Sequence, residues 1–338
     1  MPERKQQLQQ WLTSVLENQP FSFEPASTDA SFRRYFRVQV KNTTYIAMDA
    51  PPDKENSQAF VDIAALLLSV NVQAPKVLKL DLAQGFLLLS DLGNTQYLDV
   101  LNSGNVDKHY SDAINTIIKF QKHISHVTAL AHEMTLAPYD KELLLFEMSL
   151  FKHWFLENQL ALQLSKNQQS SLEKTFQQLA SSALEQPTVF VHRDYHSRNL
   201  MLCDDNNPGV LDFQDAVLGP ITYDLVSLLR DCYITWPRQQ VKDWAIEFYT
   251  KQLSAGVVNC SEETFLRWFD WMGIQRHLKA IGIFSRLNKR DGKPGYLGDI
   301  PRTLNYISEV AADYVELAPL SALLNELELS QRVDGFKP

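Results

Sequence analysis

Cysteine is scarce in this chain: Cys203, Cys232 and Cys260 are the only three in 338 residues, and none stands at CxxC spacing. An odd, scattered set excludes a disulfide framework and a thiolate zinc site, and suits core thiols in a reducing compartment. Long apolar runs are missing as well. Nothing approaches the ~20 apolar residues that cross a bilayer, and the opening MPERKQQLQQWL lacks the apolar centre of a secretion signal. A cytoplasmic protein with no membrane association is expected. Positive charge is in deficit: 32 Lys and Arg against 40 Asp and Glu leave a net charge of -8, which argues against nucleic acid or an anionic surface as partner. Repeats and low-complexity tracts are also lacking. What remains, 45% hydrophobic and 21% charged residues, is an ordinary globular composition in a chain long enough for two lobes.

The hydrophobic period changes along the chain. Residues 3–18 carry Leu8, Trp11, Leu12, Val15 and Leu16 at helical spacing, an amphipathic helix with a core stripe. After Pro20 the pattern becomes extended: Phe21–Phe23, Phe32–Val40 and Tyr45–Met48 read as an antiparallel meander. A helix over Asn56–Val70 precedes short strands at Lys76–Leu80 and Gly85–Ser90. That makes a five-strand sheet with one helix inserted, ending at Leu87-Leu88-Leu89-Ser90-Asp91-Leu92-Gly93. From Gln96 onward helical spacing dominates, over 107–124, 140–160, 167–184, 222–234, 239–254, 261–283, 302–316 and 320–329. The expected class is α+β, with an N-terminal sheet lobe over 1–93 and a mainly helical C-terminal lobe over 94–338.

One stretch inside the helical half breaks the pattern: VFVHRDYHSRNLMLCDDNNPGVLDFQD, residues 189–215. Apolar Val189–Val191 gives way to polar His192–Asn199, apolar Leu200–Leu202 follows, Asn206-Asn207-Pro208-Gly209 turns the chain and Val210-Leu211-Asp212 resumes it. This is a loop followed by a tight hairpin, expected to set Asp194, Asn199 and Asp212 near one another. His-x-Asp-x-x-x-x-Asn followed by apolar-Asp-aromatic is the pattern of a kinase catalytic loop and its metal-binding Asp. Phosphoryl transfer needs a carboxylate to take the nucleophile's proton and hard oxygen donors to hold Mg²⁺ against the triphosphate of ATP. Asp194 is then the candidate base, and Asn199 and Asp212 the candidate Mg²⁺ ligands. A capping Asp and Asn beside a hairpin is the plainer reading; it weakens once Asp212 falls into place. Upstream, Ser27-Thr28-Asp29-Ala30-Ser31 is a polar turn whose N–H groups and hydroxyls could wrap a phosphate, although it contains no glycine.

HRDYHSRNLM and VLDFQDAVLGPITYDLVSLLRD resemble the aminoglycoside phosphotransferase family, whose fold is similar to that of protein kinases. Within it the likeness is greatest to the bacterial N-acetylmuramate/N-acetylglucosamine anomeric kinases. It runs through DASFRRYFRV (Asp29–Val38), MDAPP (Met48–Pro52), LLLSDLG (Leu87–Gly93) and WMGIQRHLKAIGIFSRLNKRDGKPGYL (Trp271–Leu297). The resemblance implies a two-lobe kinase-like fold, with Asp194 as base and Asn199 and Asp212 on Mg²⁺. It implies Ser31, Phe32 and Arg33 as the loop over the phosphates, Asp91 and Gly93 as the adenine-side crossing, and Asp224 as a structural brace of the catalytic loop. It further implies phosphorylation of the anomeric hydroxyl of N-acetylmuramate or N-acetylglucosamine in peptidoglycan recycling. The partner would be that small amino sugar, with no obligate protein partner.

One position departs from the wider kinase pattern. Those enzymes end a strand with a lysine that holds the α- and β-phosphates, whereas Tyr45-Ile46-Ala47-Met48 runs into Asp49; Arg33 or Arg34 is the candidate replacement. On the acceptor side, a sugar with an N-acetyl group and a lactyl carboxylate calls for hydrogen-bonding groups and a cation. Gln275, Arg276 and His277, with Arg286, Arg290, Asp291 and Lys293 beyond them, supply both, and Arg276, His277 and Arg290 are the substrate candidates. An equally open reading makes His277 structural and the other charges a solvated face. Two alternatives stand beside the sugar kinase. One is a kinase for an aminoglycoside, choline or related alcohol, disfavoured by the cationic acceptor segment; the other is a pseudokinase, supported only by the absent strand lysine.

Overall fold

The computed structural model describes residues 2–27, 32–124 and 135–336. Two compact units divide it: one takes the chain through Phe120 together with Arg198–Asp215, the other Leu136–Ser197 and the chain from Ala216 on. The chain therefore crosses between units inside the segment expected to be the catalytic loop.

In the first unit, helix α1 (Pro2–Val15) precedes strands β1 (Ser22–Ser27), β2 (Arg34–Val40) and β3 (Thr43–Asp49), helix α2 (Ser57–Ser69), strands β4 (Val77–Asp81) and β5 (Phe86–Ser90), helix α3 (Tyr97–Val100) and, through Phe120, most of helix α4 (Val106–His123). The strands form the expected five-strand antiparallel sheet, in the order β1-β2-β3-β5-β4. Alternation fixes its faces: Phe36, Val38 and Val40 are buried, while Tyr35, Arg37 and Gln39 between them are half-exposed. Leu8 and Leu12 of the opening helix, with Leu16 just after it, pack on the buried side against Phe36, Val38, Val40, Ala47, Phe86 and Leu88. Arg34 pairs directly with Asp49 across the β2–β3 register, so by alternation both belong to that face. β1 runs further than the Phe21–Phe23 of the sequence reading, because the register shift between Pro25 and Ser27 lets an edge strand absorb a proline.

The second unit holds α5 (Lys141–Leu150), a π-helical continuation (Phe151–Gln159), α6 (Lys166–Leu184) and strand β6 (Thr188–Val191). The first unit's short pair β7 (Leu200–Met201) and β8 (Gly209–Val210) comes next in the chain. β9 (Val217–Pro220) returns to pair with β6, before α7 (Tyr223–Leu229), α8 (Arg238–Ser254), α9 (Glu262–Asp291), α10 (Ile300–Asp313), α11 (Ala318–Glu326) and α12 (Leu329–Val333). α5 starts on the Asp140 side chain, which accepts from Leu143 N at 2.9 Å. α9 begins on a Ser261 cap and continues past residue 283, where the sequence reading stopped it, until Gly292 takes φ 64° and ends it. A side chain at Gly282 would stand 2.4 Å from the Leu150 backbone, so glycine there is what lets α9 lie against the end of α5. That approach sets Lys279 against Glu147. Among the described residues no helix is long and apolar enough to cross a membrane.

Candidate active site

The loop after β6 is held at both ends by carboxylates from the segment that starts with α7. Asp224 is fully buried and accepts from the backbone N–H groups of His192 at 2.7 Å and Arg193 at 3.0 Å. This is the brace expected of it. Asp231 secures the far end, accepting from Ser197 N at 2.9 Å and Ser197 Oγ at 2.5 Å, while its other oxygen accepts from Tyr233 N. Arg193 takes φ 77°, a conformation unfavourable for a side-chain-bearing residue and kept only where the surroundings over-determine it.

Asp194, half-buried, sits on this braced loop. Burial pushes its carboxyl up, but Lys279, His196, Arg276 and Arg193 outweigh burial and hold it down at about 2. Asp224 goes the other way: burial carries it up to about 7 against the pull of its two N–H donors. Two neighbouring carboxyls with proton affinities driven apart have separate tasks, one ionised and one bracing.

The cations around Asp194 are organised by Glu147, only 2% exposed. It pairs with Arg193 at 2.5 Å and Lys279 at 3.1 Å, accepts from the Tyr139 hydroxyl, and accepts from Gln275 Nε2 at 3.2 Å. Lys279 also donates to the Tyr223 hydroxyl at 3.0 Å. Burial pushes Glu147 up, yet Lys279 and Arg193 hold it below the usual carboxylate range. One carboxylate against two cations leaves a surplus positive charge in this interior. Neither Glu147 nor Lys279 was singled out from the sequence. The signal for Glu147 was a lone charge inside LLLFEMSLF; for Lys279 it was helical spacing from Arg276.

In the first unit the β7–β8 hairpin brings Asn199 and Asp212 together: Asn199 Nδ2 lies 3.4 Å from Asp212 Oδ2, and Gln214 Nε2 donates to Asp212 Oδ1 at 2.8 Å. Asp212 takes φ 60°, and Phe213 beside it packs on Phe60 at 4.8 Å between ring centres. Among the described residues no three His, Cys, Asp or Glu side chains converge on one point. Mg²⁺ takes one or two carboxylates and completes its shell with phosphate oxygens and water, so an amide and a carboxylate oxygen fit it.

Of the expected phosphate loop, Ser31 lies outside the described residues. Phe32 is 63% exposed and donates its N–H to Glu55 Oε1 at 3.2 Å, and Arg33 pairs with Glu55 at 2.7 Å. Arg34 is bound to Asp49, as is Arg4 of α1 at 2.5 Å. At the crossing, Arg37 forks onto Asp91 at 2.8 and 3.1 Å and donates to the Gly93 carbonyl at 2.7 Å, while Gly93 takes φ 92° and donates its N–H back to Asp91. Asp91 thus ties strand β2 to the chain leaving the sheet.

The acceptor-side candidates separate by burial. His277 is 1% exposed; its Nε2 lies 2.9 Å from the Arg230 carbonyl oxygen and its ring stacks on Tyr306 at 4.9 Å. Burial lowers it to about 3, so the ring is neutral and takes part in packing. Arg290 is exposed and forks onto its neighbour Asp291 at 2.7 and 3.0 Å. Arg276 is buried, and its only hydrogen-bond contact among the described residues is Cys232 Sγ at 3.8 Å.

The model of the phosphotransferase enzyme family matches residues 22–254. The chain is 45% identical to the N-acetylmuramate/N-acetylglucosamine kinase of Pseudomonas putida, over 98% of this chain and 100% of that protein. It is 46% identical to the protein of the same name from Pseudomonas aeruginosa, over 96% and 97%. Among solved structures, the GDP complex of aminoglycoside 2'-phosphotransferase-IIIa superposes with a TM-score of 0.62 at 14% identity, over 91% of this chain and 99% of that one, a likeness of fold.

Proposed function

The chain belongs to the phosphotransferase enzyme family, and from that premise we propose that it uses ATP and Mg²⁺ to phosphorylate the anomeric hydroxyl of N-acetylmuramate or N-acetylglucosamine, as a step in peptidoglycan recycling. The observation that carries the chemistry is Asp194, kept ionised by cations on a loop braced at both ends. The choice of sugar is supported by the two Pseudomonas proteins, alike over nearly their whole length.

On this reading Asp194 accepts a hydrogen bond from the anomeric hydroxyl and takes its proton as the new O–P bond forms and the bond to ADP breaks. A carboxylate with so low a proton affinity orients the hydroxyl first and takes the proton late, which suits the loose transition state of phosphoryl transfer. Asn199 and Asp212 would hold Mg²⁺, which when bound neutralises the phosphate oxygens. Arg33, fixed by Glu55, is the phosphate-side cation in place of the strand lysine, since Arg34, paired likewise with a carboxylate, lies on the face that packs against α1. Asp91 and Gly93 shape the adenine side, and the nucleotide lobe ends near residue 93. Positioning and charge supply most of the acceleration.

The test is ADP release with Mg-ATP and the free sugars or their 1-O-methyl glycosides, with Asp194→Ala as control. Turnover on the free sugars alone is expected. Turnover on the glycosides would move the phosphorylated hydroxyl elsewhere on the ring, and no turnover with ATP still bound would favour a pseudokinase.

A further inference from the structure

The second unit holds Arg193, Lys279, Arg230 and Arg276 largely out of water. Arg193 and Lys279 share Glu147, and Arg230 is paired with Asp270. Arg276 differs. It is 5% exposed, has no carboxylate partner among the described residues, and its buried Nε meets no acceptor there. The thiol at 3.8 Å from Nη1 returns little. Asp231, a nearby carboxylate, accepts from Ser197 and from the Tyr233 N–H and acts on Arg276 only from beyond ion-pair distance. A guanidinium out of water with no carboxylate in contact is held charged only by anions farther off, here Asp194 and Asp231. A fold that puts a carboxylate in contact with three neighbouring cations and with the fourth none leaves the donor fork of that fourth one open to a ligand.

We propose that Arg276 is the anion receptor of the acceptor site, donating to the phosphoryl group as it passes to the sugar and to the sugar 1-phosphate that results. This rests on the kinase reading above and deepens it. Arg276 stands one helical turn before Lys279 on α9, and its Nη1 lies 3.8 Å from Cys232 Sγ, next in the chain to the Asp231 that anchors Ser197 on the loop carrying Asp194, the group that meets the anomeric hydroxyl. The lactyl carboxylate of N-acetylmuramate is the competing anion, but it hangs from a ring carbon away from the anomeric one. A cation reserved for it would also be left unpaired by N-acetylglucosamine. A phosphoryl group is present with either sugar, and two of its oxygens at a time match the donor fork of arginine.

The experiment compares wild type with Arg276→Met and Arg276→Lys on both sugars, and follows melting temperature with and without inorganic phosphate or N-acetylglucosamine 1-phosphate. Loss of one donor to the transferring group should lower kcat by about 10²–10³-fold on both sugars alike, leaving KM for Mg-ATP within a few-fold, with Arg276→Lys recovering part. Arg276→Met should melt close to wild type, because no ion pair in contact is broken, and phosphate should raise the melting temperature of wild type but not of the variant. A loss confined to N-acetylmuramate would make Arg276 a carboxylate reader and overturn the proposal. So would a variant that melts lower yet keeps kcat, or one still stabilised by phosphate. Should wild type turn over neither sugar, the kinase reading fails by itself, and the phosphate shift still decides the role of Arg276.

Discussion

Each unit contains a carboxylate gripped by two cations, and the two grips serve different ends. In the first, Asp49 is fully buried but its partners Arg4 and Arg34 keep 29% and 33% of their side chains exposed. In the second, Glu147 and its partners lie deeper, with Arg193 at 20% and Lys279 at 10%. Water screens the surplus charge of the first pair, so what remains is mechanical: α1 is pinned to strands β2 and β3. Around Glu147 there is little water to do so, and the surplus positive charge is felt by the next carboxylate, Asp194. The same three-residue chemistry is a fastener in one place and an electrostatic setting in the other because of burial.

The strongest way to break the comparison is to remove the group the Glu147 cluster acts on. Asp194→Ala should lower kcat by about 10²–10⁴-fold while nucleotide affinity, measured by calorimetry, stays close to wild type. Activity near wild type would leave the cation cluster with nothing to act on. Next comes the cluster itself. Glu147→Gln leaves two buried cations without their carboxylate and should cost about 3–5 kcal/mol in denaturant unfolding, together with a fall in kcat as Arg193 lets the loop shift. A variant as stable as wild type would show that the pair is better hydrated than its burial indicates.

Acidity sharpens the comparison further. Asp194 has a folded proton affinity below its unfolded value, so its contribution to stability is present above about pH 4 and is lost as pH falls through about 2. For the same reason the acid limb of kcat/KM should lie below pH 4. Lys279→Met removes the foremost of the cations that hold Asp194 down, and that limb should move up by about one pH unit or more. An unmoved limb would mean that Arg193, Arg276 and His196 suffice without Lys279.

How much of this was legible in the sequence depends on how local each interaction is. The strand period, the opening helix and the β7–β8 hairpin are set by neighbours in the chain, and they appear where alternation and turn residues put them. The brace at Asp224 was legible through the family likeness. Glu147 was not, because its meaning depends on α5 and α9 meeting, and that meeting depends on Gly282 lying against Leu150. Arg276 and His277 are consecutive and both buried, so composition could not separate them. The difference lies in what each meets: a carbonyl and a tyrosine ring for His277, and an unpaired Nε for Arg276. The end of α9 was misplaced because the charged residues after 283 continue the helix without adding to its apolar stripe, and only Gly292 stops it.

The smallest effect is expected at the other grip. Asp49 ends β3, where the wider kinase pattern calls for a phosphate-binding lysine, a place that on its own suggests a part at the phosphates. Its partners say otherwise: Arg4 comes from α1 and also donates to the Gln84 carbonyl, and Arg34 shares the face on which α1 packs. Asp49→Asn frees two arginines that can turn to solvent, so the loss is that of charge-assisted hydrogen bonds, about 1–3 kcal/mol, and turnover should stay within about twofold of wild type. Unfolding by urea and initial rates at saturating Mg-ATP measure the two quantities separately. A large fall in kcat at wild-type stability would mean that Arg34, and not Arg33, serves the phosphates, with Asp49 aiming it; the two grips would then both be electrostatic, and the contrast drawn from their burial would fail.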